Sequence, residues 1–161
     1  MFLMGKNPWA DEVRGRLAEF LKPHGFRRRG SLLVRAHDDR GVESFECWST
    51  RKAPPECFDF RVFAQVEHVT EGSRSVGEHA PVLRFDVTIL KGRVAAQPFR
   101  ICSDHDLYTV SANLFELVEL ALPILHTARN PEGLQYIRTE HPLLRGRERD
   151  PAKVESMAEN A

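Results

Sequence analysis

The 161-residue chain predicts an α+β domain: an antiparallel β-meander of about four to five strands, with an N-terminal helix and C-terminal helices packed on one face. Three observations predict it. The hydrophobic period runs helical first, then alternates through the middle of the chain, then turns helical again. The links between the alternating segments are too short for βαβ crossovers, which leaves antiparallel pairing. Hydrophobic residues make up 42% and charged residues 29%, an ordinary balance for a globular core. At this mass, surface scaling gives about 8,000 Å² exposed when folded against roughly 27,000 Å² unfolded, so a core forms without a covalent staple.

The first helix begins at Asn7, an N-cap, with Pro8 as its first helical residue, where a missing N–H costs nothing. Trp9, Val13, Leu17, Phe20 and Leu21 fall on one face, and Pro23 and Gly25 stop the helix. Segments 32–37 and 42–50 read as a hairpin around Asp38-Asp39-Arg40-Gly41. Segment 57–69 is the strongest strand, with Phe58, Phe60, Val62, Ala64 and Val66 on one face. The polar stretch 70–81 reads as a loop, and 82–90 as a further strand with Leu83, Phe85, Val87 and Ile89 inward. Lys91-Gly92 turns the chain into a short piece over 93–97.

A second helical pattern covers 107–128, capped by Ser103 or Asp104, and Pro123 inside it predicts a kink or a division into two helices. Asn130-Pro131 repeats the cap-and-proline signal for a short helix ending near Arg138. The domain is expected over 1–140, followed by a charged, partly frayed tail over 141–161.

Composition narrows the function classes. Twenty-three basic residues cancel twenty-three acidic ones, which disfavours nucleic acid and polybasic membrane anchoring. No stretch approaches the roughly 20 apolar residues of a membrane span, and residues 1–9 do not read as a secretory signal. Cys47, Cys57 and Cys102 form an odd set without a CxxC pair, so the expectation is reduced thiols and a cytoplasmic protein. No GxGxxG, GKS/GKT, GxSxG or HExxH motif occurs, and neither cofactor nor metal is expected.

Each remaining constellation has a plain reading beside a functional one. Arg27, Arg28 and Arg29 are either a phosphate or acidic-partner contact or a charged strand edge that blocks edge pairing. Trp48, followed by Arg51 and a rigid Pro54-Pro55, is either a contact surface or a core tryptophan before an ordinary loop. Cys47, Cys57 and His68 lack the short ligand spacing of a zinc site. Asp104-His105-Asp106 belongs at a helix start, and Cys102 with His105 lacks the orienting group of a nucleophile pair. Glu43 and Glu67 are expected on a solvated sheet face. Should the chain hold a pocket between sheet and helices, Glu67, His68 and His105 are its candidate polar groups.

Two segments carry a resemblance. LKPHGFRRRGSLLVR, residues 21–35, resembles the opening of the bacterial domain of unknown function 4304 family: a first helix ending in Gly-Phe, then basic residues and an apolar strand. LPILHTARNPEGLQYI, residues 122–137, resembles its closing pattern of Leu-Pro near a helix end and a short helix. Cys47-Trp48-Ser49 stand where the family carries a glutamine. The resemblance implies a compact α+β domain and carries no catalytic residue with it.

The function expected from the residues is a non-enzymatic protein-binding module, an immunity-type protein neutralising a toxin being one form of it. An enzyme or small-ligand receptor is the alternative. A homodimer through an exposed strand edge is compatible with the sequence.

Overall fold

Asn7 opens the first helix, α1 (Pro8–Leu21), its side-chain oxygen accepting from the Trp9 N–H while Pro8 fills the first turn. The computed structural model describes residues 7–38, 41–50, 53–69, 81–92 and 97–145. A 3-10 turn over Lys22–His24 follows α1 and ends at Gly25, whose φ of +90° is the left-handed conformation that favours glycine. The strands are β1 (Arg27–Arg29), β2 (Leu32–Ala36), β3 (Gly41–Ser49), β4 (Phe58–His68), β5 (Leu83–Asp86) and β6 (Phe99–Ile101). Helices α2 (Asp104–Thr127), α3 (Pro131–Glu140) and α4 (Pro142–Arg145) close the described chain.

The expected α+β architecture is present. β1 to β5 pair consecutively and antiparallel, and β6 pairs with β4. The 11 residues of β4 serve both neighbours: Phe63–Val66 face β5, while Phe58–Phe60 face β6. Alternation sends Phe45 and Cys47 of β3, Phe60, Val62 and Val66 of β4, and Phe85 of β5 into one core with Val13, Leu17 and Leu21 of α1 and Leu114, Val118 and Leu125 of α2. Phe20 and Phe115 stack with ring centroids 4.5 Å apart and join the two helices.

Four expectations are corrected. The segment 82–90 is strand only to Asp86, which then caps a 3-10 turn over Val87–Lys91 by accepting from the Thr88 N–H and hydroxyl. A local aspartate cap competes with the strand ladder, while Val87 and Ile89 stay buried, so the alternation could not tell the two apart. Of the two outcomes expected at Pro123, the division is the one corrected: residues 104–127 form one helix through it. Pro123 and Glu119 are both exposed, so the carbonyl that loses its partner lies on the solvent side. The domain continues past residue 140, because Leu144 of α4 is buried in the core. By length and composition α2 meets the criterion for a membrane span, yet Leu107, Leu114, Leu117, Val118, Ala121 and Leu125 are buried in the core, while Tyr108 and Leu120 are exposed.

The fourth correction concerns the cysteines. Cys57 and Cys102 form a disulfide, leaving only Cys47 free. Phe58 pairs with Ile101, so the next rung of the β4–β6 ladder brings residues 57 and 102 face to face, with Cα atoms 4.2 Å apart. A sequence separation of 45 hides that rung. The bond removes the reduced-thiol premise of the cytoplasmic expectation. The loop at 70–80, residues 39 and 40 of the hairpin turn, Arg51, most of the short piece over 93–97, and the tail from 146 lie outside the described residues.

Candidate functional site

The face of the sheet away from the core carries an aromatic–guanidinium stack. Residues 46 and 48 alternate away from Cys47, so Trp48 stands on this face and is 51% exposed. It is a surface tryptophan, contrary to the core reading. Its ring meets Phe63 edge-on at 6.0 Å. The Arg84 guanidinium lies 3.9 Å from the Phe63 centroid and 5.4 Å from that of Trp48, and Arg61 lies 4.9 Å from Phe63. Arg61 is ion-paired with Asp86 at 2.8 Å, whereas Arg84 makes no ion pair among the described residues. Asp59 and Arg100 form a bidentate pair alongside, and Arg100 holds the Asp59 carboxyl below its usual range, chiefly by hydrogen bonding.

The pleat divides the arginine run. Arg27 and Arg29 pair with Val34 and Leu32 and share the Trp48 face, while Arg28 pairs with Leu33 and points to the core side. All three are exposed on β1, which among the described residues pairs only with β2. Arg29 lies two strands from β3, where the register sets it abreast of Glu46, two residues before Trp48.

A second cluster sits where the β2–β3 hairpin meets the C-terminal end of α2. Glu43 is wholly buried, and the expectation of a solvated carboxylate is corrected. Arg35 Nε donates to Oε2 at 2.7 Å and Nη2 to Oε1 at 2.9 Å, and Nη1 donates to the His24 carbonyl at 2.8 Å. The His37 Nε2 also contacts Glu43 Oε2. His126, in the last turn of α2, packs edge-on against His37 with centroids 5.2 Å apart. Partial burial, then the positive charge of Arg129, lowers the His126 pKa.

The predicted pocket residues do not converge. Glu67 and His68 are consecutive on β4 and point to opposite faces. The His68 Nε2 donates to the Ala128 carbonyl at 2.9 Å, which holds the ring in place beyond the end of α2. His105 is exposed in the first turn of α2, about 30 Å of helix away. None of the three lines the apolar groove of about 560 Å³ bounded by Leu120, Pro123, Tyr136, Ile137 and Leu143. Cys102 is in the disulfide and offers no nucleophile beside His105. Ser103 caps α2 by accepting from the Asp106 N–H, as the plain reading of 103–106 expects.

Sequence reasoning missed the roles of Arg84, His37 and His126. Arg84 reads as an ordinary outward strand residue, and only the β4–β5 register sets it beside Phe63 and Trp48. The geometry defines an α+β domain with two surface features, one on each side of the sheet. Comparison with known proteins finds no matching family model, no matching curated protein and no matching solved structure.

Proposed function

We propose that the chain is a protein-binding module that engages an acidic protein surface through the Trp48 face of its sheet. One observation carries this reading: a half-exposed tryptophan is held by Phe63 and stacked with a guanidinium that has no carboxylate partner among the described residues. Tryptophan and arginine are the side chains that most often dominate interface energetics, and prior stacking reduces the entropy lost on binding. Arg27 and Arg29 extend the basic character of the same face. A one-to-one complex would bury about 1,600 Å² in total.

An immunity-type inhibitor of a toxin is one instance of such a module. In the first of the segments that resemble the domain of unknown function 4304 family, Gly25 shapes a turn and Phe26 fills the core. The segments do not supply a catalytic set. A second copy of the chain is a poor occupant of the β1 edge, where three arginines would face three.

The test is capture of a stoichiometric partner from host lysate, followed by affinity measurement with purified components. Trp48→Ala and Arg84→Ala are expected to weaken binding by about 2 kcal/mol each, roughly thirtyfold. Arg28→Ala, on the other face of β1, should leave it nearly unchanged. A partner held equally well by the Trp48 and Arg84 variants, or no stoichiometric partner, overturns the proposal.

A further inference from the structure

The geometry points to a binding site for one divalent transition ion of the zinc type, with His37, Glu43 and His126 as its protein ligands. This inference is independent of the sheet-face reading. One ligand atom from each residue lies within 4.8 Å of the others. They come from three places: His37 just after β2, Glu43 within β3, and His126 in the last turn of α2. Two imidazoles and one carboxylate suit a borderline ion and leave coordination positions for water.

The surroundings support this use. Glu43 is wholly buried, the His37 side chain is 19% exposed, and His126 is exposed, so the cluster is anchored on one side and open on the other. Arg35 holds both carboxylate oxygens, the kind of outer contact that orients a ligating carboxylate. Glu43 Oε2 is contacted by both Arg35 and His37, so an ion binds by replacing the direct His37–Glu43 contact, with the His37 Nε2 lone pair and Oε2 both turned to the ion while Arg35 keeps its hold on the carboxylate. The C-terminal end of α2 directs its negative dipole toward this corner. Arg35 and Arg129 oppose a cation electrostatically. Affinity is therefore expected to fall below that of a closed four-ligand structural site.

The test uses the full chain without a histidine tag, stripped with a chelator and titrated with zinc by calorimetry. Cobalt absorption then reports the ligand field. The expected result is one zinc per chain, with affinity reduced roughly tenfold or more in His126→Ala and in His37→Ala. His126 is exposed, so its variant is expected to fold; circular dichroism checks this. His105→Ala, at the far end of α2, should leave binding unchanged. Absence of saturable zinc uptake by the wild-type chain, or equal affinity in folded His126→Ala, overturns the assignment.

Discussion

Gly41 lies directly against the backbone of Arg129: a Cβ at position 41 would stand 2.4 Å from the Arg129 carbonyl oxygen and 2.6 Å from its Cβ. The start of β3 and the turn after α2 touch there without room for a side chain. The obstacle includes backbone, so it cannot be relieved by a rotamer change alone. Gly41→Ala is expected to destabilise the fold by about 1–3 kcal/mol. Urea unfolding checks this, and an unchanged midpoint would show that the two segments separate easily.

Removing either member of the Arg35–Glu43 pair should have unequal effects. Arg35 retains 21% side-chain exposure, while Glu43 has none. Arg35→Ala strands a buried carboxylate with one remaining contact, from His37, and should cost about 3–5 kcal/mol. Glu43→Gln keeps a hydrogen-bonding side chain of similar size and should cost less. The order of the two denaturation midpoints is the readout.

The cysteines should react as two distinguishable populations, one buried free thiol and one disulfide pair. Burial pushes the Cys47 thiol up to about 11, so a thiol reagent should label nothing in the native protein, one site after denaturation, and three after denaturation with reduction. Reduction of Cys57–Cys102 should lower stability by about 2–4 kcal/mol. Labelling of two or three sites in the native protein would contradict the pairing.

Ser111 of α2 is buried and its hydroxyl has no hydrogen-bond partner among the described residues. A buried hydroxyl without a partner carries a desolvation penalty that alanine avoids. Ser111→Ala is expected to raise stability by about 1 kcal/mol, seen as a later urea midpoint with an unchanged slope.

The Asp59–Arg100 pair contributes to the acid limb of stability. The folded pKa of Asp59 lies below its ordinary value because Arg100 donates to the ionised carboxylate. Unfolding then takes up protons, so this contribution is complete above the ordinary aspartate range and disappears as pH falls through the folded value. Asp59→Asn should flatten the stability profile as pH falls through and below the ordinary aspartate range. A profile parallel to that of the wild type would remove the pair from the account.

The meander, α1 and the start of α2 were legible because each rests on a local signal: Asn7-Pro8, the alternation of β4, and the Ser103 cap. The end of β5 was not, because Val87 and Ile89 are buried equally well in a strand or a 3-10 turn. β6 has only three residues, too few to display a period. The ligand cluster was hidden for a different reason. Arg35 and Glu43 are paired by hairpin register, but His126 joins them only once α2 has crossed the sheet. Trp48 shows the same limit, since burial of its neighbour Cys47 decides which way it points.

The disulfide has a topological consequence. Residues 57 to 102 form a covalent ring that contains β4, β5 and β6. A single proteolytic cut inside that ring opens it without dividing the molecule. The nicked chain should keep its full mass on a non-reducing gel and separate into two fragments only when a reductant is added.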